Sequence, residues 1–154
     1  MLDWAEIIFR LGAAAAIGSV LGIYLELQHK PTGMRTLGLV ALASAVAVLS
    51  VAKDPNADAS RVIQGVIAGV GFLGTGVILK REQGQAGRGL PTAATIWLTA
   101  SVGVLCGLAA WSIWIIAVVL TAVVLLVGDM IAKRVRVIAK RVRGPQPSSD
   151  ESEI

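Results

Sequence analysis

The glycines between Gly65 and Leu79 are the residues whose types and spacing first suggest chemistry. The six letters GVGFLG, from Gly69 to Gly74, match the G-x-G-x-x-G pattern with which a dinucleotide-binding turn cradles a pyrophosphate. That turn follows a strand, opens a helix, and has an acidic residue about twenty positions further on that binds the ribose. Here that position is Ala94 and the surroundings are apolar, so the match indicates no nucleotide site.

Other groups for catalysis or metal binding are few. The chain has one cysteine, Cys106, and one histidine, His29, which exclude an internal disulfide and a paired-histidine metal motif. Because no Ser/His/Asp or Cys/His set can be assembled, the sequence predicts a protein that is not an enzyme and needs no cofactor. Any metal ligands stay open: magnesium prefers carboxylates, and the candidates are Glu26 and Asp129.

The composition explains what surrounds the glycines. Of 154 residues, 55% are hydrophobic and 16% are charged, whereas a soluble domain is about a quarter charged. One uncharged run covers forty residues, from Gly89 to Gly128. Since about 20 apolar residues cross a bilayer, the sequence predicts an all-α polytopic membrane bundle whose surroundings are lipid and not nucleic acid. Its five spans are predicted at about 5–27, 34–52, 62–80, 91–109 and 112–131.

The positive charges set the expected orientation. Loops 28–36 and 80–90, together with the residues after the fifth span, hold eleven of the fourteen lysines and arginines. The positive-inside rule therefore places the N-terminus outside and the C-terminus in the cytoplasm. We expect a membrane domain over residues 1–131, a basic amphipathic cytoplasmic helix over 132–143 and a disordered acidic tail over 144–154.

The basic segment after the fifth span is amphipathic. Ile131, Val135, Ile138 and Val142 recur at helical spacing, which favours a helix lying on anionic lipid, with a self-association helix as the alternative. The predicted membrane-surface residues are Lys133, Arg134, Arg136, Lys140, Arg141 and Arg143.

The glycines are better explained by helix packing than by ligand binding. Small residues let membrane helices approach closely, and glycines on several sides of the third span predict that it is central in the bundle. A broken third helix that exposes backbone groups to an ion is the alternative. The predicted helix-packing residues are Gly12, Gly22, Gly65, Gly69, Gly71, Gly74, Gly76 and Gly103.

Charged and hydroxyl side chains cluster at the inner ends of the predicted spans. Glu26 ends the first span, Arg35 and Arg88 precede the second and fourth, and Thr92, Thr95 and Thr99 share one face of the fourth. One hypothesis is that Glu26 pairs with one or both arginines and locks these ends together. The other is a polar vestibule for an ion or acidic partner, walled by the threonines. At the outer end, we expect Arg10 to reach the headgroups.

Two segments in the middle of the chain resemble a known family. GVGFLGTGVIL followed by GRGLPTAATIWLTASVGVLCG is similar to the paired signature of the MgtC/SapB family of bacterial inner-membrane proteins, and KPTGMRTLGLV resembles another family segment. The likeness covers about residues 7–110, and Arg10 matches a family arginine. Departures are Tyr24, Leu37 and Pro91, which replace an acid, a histidine and a threonine, and longer members carry a further soluble domain.

The resemblance implies a multi-pass protein of the bacterial inner membrane. Members are associated with growth at low magnesium and, in pathogens, with survival inside host cells. We therefore expect a non-enzymatic regulator or interaction partner of other membrane proteins, such as a membrane ATPase, that forms homo-oligomers. The alternative is a small ion channel or transporter, for magnesium or another ion, with a polar site among spans 1, 3 and 4.

Overall fold

The described residues of the chain form five helices. The computed structural model describes residues 3–30, 32–52, 54, 57–79 and 89–143, with side chains in the last range through 128 and at 130, 131 and 134. The helices are α1 (Trp4–Leu27), α2 (Met34–Val51), α3 (Ala59–Leu79), α4 (Leu90–Gly107) and α5 (Trp111–Arg143). Each contains a segment long and apolar enough to cross a membrane, so the predicted all-helical architecture with five candidate spans is confirmed. The predicted acidic tail, 144–154, lies outside the described residues.

Both α3 and α5 are continuous helices. α3 runs without a break through its glycines, so the alternative of a broken third helix is wrong. A continuous helix pairs the backbone groups of its interior, as hydrocarbon requires, and the Thr75 hydroxyl adds a hydrogen bond to the Gly71 carbonyl at 2.9 Å. α5 continues past the end of the apolar segment to Arg143, so the basic segment belongs to the same helix as the fifth span.

The chain divides into two compact units, Met1–Ile115 and Ile116–Ile154. The first holds α1 to α4 and the first turn of α5. The second consists, where described, of the remainder of α5, in which the Thr121 hydroxyl donates to the Ala117 carbonyl at 2.6 Å.

The centre of the first unit is α4. It packs against α1, α2 and α3, and ten of its residues are buried, whereas α3 buries only Val70 and Gly74. The prediction that the third span is central is therefore wrong. The physical reason is that glycine permits contact but has almost no side chain to bury, while α4 offers threonines, Ile96 and Ala100 to three neighbours.

Close approach between helices occurs at a different set of glycines from the richest run. A Cβ at Gly103 would collide with the Ala41 carbonyl oxygen, and one at Gly22 would collide with the backbone of Met34. At Gly74 a Cβ would make ordinary contact, 3.5 Å from the Ala93 side chain. For the other predicted packing glycines, no residue described in the first unit comes within 4 Å: Gly12, Gly65, Gly69, Gly71 and Gly76. Those five therefore do not bring the helices of this unit together.

Outside the spans, α3 has a well-formed start. The Asp58 carboxylate accepts hydrogen bonds from the backbone N–H and the hydroxyl of Ser60, at 3.0 and 2.6 Å. These bonds stabilise the ionised carboxylate and so lower the pKa of Asp58, with the hydroxyl contributing most. The aspartate thus caps the helix by satisfying one of its free N–H groups.

Candidate functional site

The best-formed polar site lies at one end of α1 and centres on Arg10. This side chain is only 9% exposed. Its Nη1 donates to the carbonyl oxygen of Gly107 at 2.9 Å, and its Nη2 forms an ion pair with the Glu6 carboxylate one helical turn earlier. The expectation that Arg10 reaches the headgroups is therefore wrong, because its charge has two partners within the fold.

The end of α4 explains why an arginine is bound there. The last carbonyls of a helix lack partners within it, and inside a membrane water does not replace them. Ala109 adopts a left-handed conformation, with φ of 56°, which allows the N–H groups of Ala109 and Ala110 to donate to Cys106 and Leu105, both at 3.1 Å. The Gly107 carbonyl is left over, and Arg10 binds it. A cation at a helix C-terminus also interacts favourably with the helix dipole.

Aromatic rings join α1 to the start of α5 beside this site. Phe9 packs against Trp111 with ring centroids 5.2 Å apart, and Trp111 meets Trp114 edge to face at 5.8 Å. Both contacts fall in the range where aromatic pairs attract beyond their buried area. The turn between α4 and α5 is therefore held to α1 by an ion-paired arginine and by aromatic packing. We call Glu6, Arg10, Gly107 and Trp111 the arginine latch.

Sequence reasoning missed this latch, although one signal for it was present. Glu6 precedes Arg10 by four residues, which is the spacing of a helical ion pair. The Gly107 acceptor, 97 residues away, had no sequence signature.

At the opposite end of α1, the Glu26 carboxylate interacts with the N-terminus of α2. Its Oε2 accepts a long hydrogen bond, 3.4 Å, from the backbone N–H of Met34 at the start of α2. The carboxylate lies so near Gly33 that a Cβ there would be 3.1 Å from Oε2. A carboxylate at a helix N-terminus is favoured by the free N–H groups and by the dipole.

The first inner-end hypothesis is that Glu26 pairs with Arg35, Arg88 or both. Glu26 and Arg35 form no ion pair, since the ion pairs among the described side chains are Arg10–Glu6 and Arg61–Asp58. The lock between these two residues is therefore not formed, and the carboxylate instead binds the α2 backbone. Arg88 lies outside the described residues, so its pairing stays a prediction.

The threonines of α4 are buried and mostly bonded to their own helix. The Thr95 hydroxyl donates to the Pro91 carbonyl at 2.9 Å, and the Thr99 hydroxyl donates to Thr95 at 2.8 Å. The Thr92 hydroxyl is fully buried and has no hydrogen-bond partner among the described residues. Two of the three predicted wall hydroxyls thus have their protons engaged by the helix backbone.

The space between the helices is filled with apolar side chains. Leu25 of α1, Leu37 of α2, Val70 of α3 and Ile96 of α4 meet in one buried cluster with Ala100, and Leu21 and Val77 pack around it. The helices are therefore joined by apolar contacts at this level, and the polar vestibule at the inner ends stays a prediction because Arg88 lies outside the described residues. In the same residues, no group of three or more acidic, histidine or cysteine side chains could hold a metal ion.

Two shallow apolar grooves lie between helices among the described residues of the first unit. One, of about 330 Å³, runs between α2 and α3 and is lined by residues that include Ala43, Ser44, Gly65 and Gly69. The other, of about 310 Å³, lies between α1 and α2 at the end nearer Ile7 and Ser50. The Ser44 hydroxyl in the first groove donates to the Val40 carbonyl at 2.8 Å, so that groove offers little polar chemistry.

Comparison with known proteins gives a consistent result. The profile of the MgtC family matches residues 11–134. Protein SrpB of Synechococcus elongatus is 41% identical over 137 residues, which cover 80% of this chain and 75% of that protein. An uncharacterized protein of Synechocystis, slr0014, is 41% identical over 107 residues, 69% of this chain and 45% of its own. Protein MgtC of Salmonella typhimurium is 41% identical over 101 residues, 66% and 43% respectively. The chain thus spans less than half the length of the last two relatives, and no solved structure matches it.

Proposed function

Because this chain belongs to the MgtC family, we propose that it is a non-enzymatic, multi-pass protein of the bacterial inner membrane that serves adaptation to magnesium limitation. It acts as a regulator or interaction partner of other membrane proteins, a membrane ATPase among them, and associates with further copies of itself. Its N-terminus faces outward and its C-terminus the cytoplasm. It binds these partners through helix contacts within the bilayer and performs no chemistry of its own.

The observation that carries this proposal is the direction in which α3 turns its glycines. On a helical wheel, Gly65, Gly69 and Gly76 lie within about 40° of one another. No residue described in the first unit comes within 4 Å of a Cβ at any of the three. Val66 and Val77, by contrast, pack on the apolar core.

This arrangement is the reverse of what lipid alone would favour. A glycine inside a helix costs about 1 kcal/mol relative to alanine, and against lipid tails it gains no packing in return. Against another helix, the same glycine allows the backbones to approach closely and the dispersion contacts to multiply. An outward glycine face therefore supports a role in contacts between helices.

A bulky substitution on that face tests the proposal. Gly69→Leu should abolish growth at limiting magnesium in a strain that depends on this protein, because the leucine blocks the approach of a partner helix. The amount of folded protein should not fall, because a Cβ at Gly69 meets open space in the first unit. Growth and membrane abundance are measured in parallel.

The matched control is Gly71→Leu. Gly71 is also open in the first unit but lies on a different side of α3, about 160° from Gly69 at 100° per residue. This variant should support growth. Normal growth with Gly69→Leu, or equal loss with both variants, would contradict the proposed contact face.

The alternative function, a small ion channel or transporter, makes a separate prediction. It requires a polar site among spans 1, 3 and 4, where an apolar cluster stands against it. Ion flux is measured in liposomes that contain only the purified protein. Robust selective flux would overturn the regulator proposal, whatever the Gly69→Leu result.

A further inference from the structure

α5 extends well beyond its apolar segment, and the proposed function assigns no role to this part of the helix. The helix has 33 residues, and its apolar segment ends at Gly128. The fifteen residues from Asp129 to Arg143 therefore continue the same helix for about 22 Å, at 1.5 Å per residue. We call residues 132–143 the basic extension.

The charged residues of this extension are all positive. It contains six of the fourteen lysines and arginines in the chain, and no acidic residue: Lys133, Arg134, Arg136, Lys140, Arg141 and Arg143. Arg134 is exposed and takes no part in the described ion pairs. A concentration of positive charge at a bilayer surface is complementary to anionic phospholipid headgroups.

The apolar residues of the segment follow the helix period. Ile131, Val135, Ile138 and Val142 are separated by four, three and four positions, so on a continuous helix they fall on one side. A helix with one apolar side and basic residues elsewhere is typical of helices that lie at the boundary between headgroups and acyl chains.

Helix continuity also fixes how near the charges begin. Lys133 follows Gly128 by five residues, so even an upright helix carries it only about 7.5 Å beyond the apolar segment. That distance is within the Debye length of about 8 Å at physiological ionic strength. On an upright helix Arg136 stands about 12 Å and Arg143 about 22 Å beyond the apolar segment, so the later basic residues reach the headgroups only when the extension inclines toward the bilayer.

From these observations we propose that the basic extension of α5 binds the anionic phospholipid headgroups of the bilayer from which it emerges. Anionic lipid is favoured over a second copy of the extension as the binding partner. Two associated extensions would bring six positive charges per chain close together, and these charges would repel. This binding is independent of the α3 contact face and of the proposed regulatory role.

The test uses the full chain in nanodiscs. The single cysteine is removed by Cys106→Ser, and Ile138→Cys supplies the site for a nitroxide spin label. The probe is the collision of the label with water-soluble NiEDDA, in discs of phosphatidylcholine alone and in discs of phosphatidylcholine and phosphatidylglycerol in equal parts. We expect a loss of NiEDDA accessibility in the anionic discs, reversed by high salt because salt screens the attraction.

Charge variants identify the cause. Lys133→Gln, Arg134→Gln and Arg136→Gln combined should restore accessibility in the anionic discs, whereas the control Arg61→Gln, in the first turn of α3, should leave the loss unchanged. Equal accessibility in the two lipids would overturn the proposal. Low accessibility in both lipids that does not respond to salt would also overturn it, because it would mean that a second copy covers the apolar side.

Discussion

At the scale of single residues, the protein contains two kinds of arginine. Arg10 is buried and shared between a carboxylate and a helix-end carbonyl, whereas the side chain of Arg61 is 86% exposed and pairs with Asp58 at 3.5 Å. Exposed pairs contribute little because water screens them and the side chains lose entropy. A buried charge that loses a partner is costly, because the remaining partner stays unsatisfied in a low dielectric. Arg10 should therefore contribute more to the free energy of unfolding than Arg61 does.

Substitution of the two arginines should reveal that difference. Arg10→Met removes the charge and leaves the Gly107 carbonyl without its donor, so we expect it to lower the free energy of unfolding by about 2–4 kcal/mol. Arg61→Met, the matched control, should lower it by no more than about 0.5 kcal/mol. The measurement is denaturant unfolding of the purified protein in the same detergent. Equal effects would mean that the arginine latch does not stabilise the fold.

At the scale of elements, the glycines of α3 and α4 perform different tasks. Gly103 of α4 lets that helix approach α2 until there is no room for a Cβ beside Ala41. Gly69 of α3 has no such neighbour among the residues described in the first unit. The value of a glycine in a membrane helix thus depends on what stands opposite it, which the helix itself does not specify.

A pair of alanine substitutions separates these tasks. Gly103→Ala should lower the free energy of unfolding by about 1–3 kcal/mol, because the new methyl group forces α4 away from α2. Gly69→Ala should leave it unchanged or raise it by up to about 1 kcal/mol, because alanine favours the helix. Both are measured on the isolated protein in detergent. A loss with Gly69→Ala as large as that with Gly103→Ala would show that the α3 face is already packed within the chain.

At the scale of the whole molecule, the proposed orientation depends on the basic residues of the loops. Arg10 lies within α1 and not in a loop, so it is not among the loop charges that the positive-inside rule counts. The basic residues on the predicted outer side are then Lys53 and Arg61, against eleven on the other. This difference in loop charge is the basis of the proposed orientation.

Cysteine labelling of intact cells tests that orientation. In a Cys106→Ser background, Ala52→Cys at the end of α2 should react with a membrane-impermeant maleimide added outside, because the proposed orientation places that loop on the outer side. Lys30→Cys, in the loop between α1 and α2, should react only after the membrane is permeabilised. The reverse pattern would place the N-terminus in the cytoplasm.

The sequence by itself determined the number of helices and their approximate limits. Hydrocarbon imposes a minimum length of apolar residues and requires each span to satisfy its own backbone, and both conditions can be read locally. The unbroken α3 follows from the same rule, although its glycines admitted another interpretation. Of the inner-end residues, the sequence placed Glu26 and the α4 threonines near helix ends and on one face. It did not identify their hydrogen-bond partners, because the Met34 amide carries no distinguishing side-chain signal.

Only the tertiary structure decided which helix is central, which way α3 turns its glycines and what Arg10 binds. The physical reason is common to all three. A glycine permits contact on any side without selecting a neighbour, and a backbone carbonyl such as that of Gly107 is chemically the same at every position. Which of these groups meet depends on how four helices pack together, and that is a property of their combined surfaces.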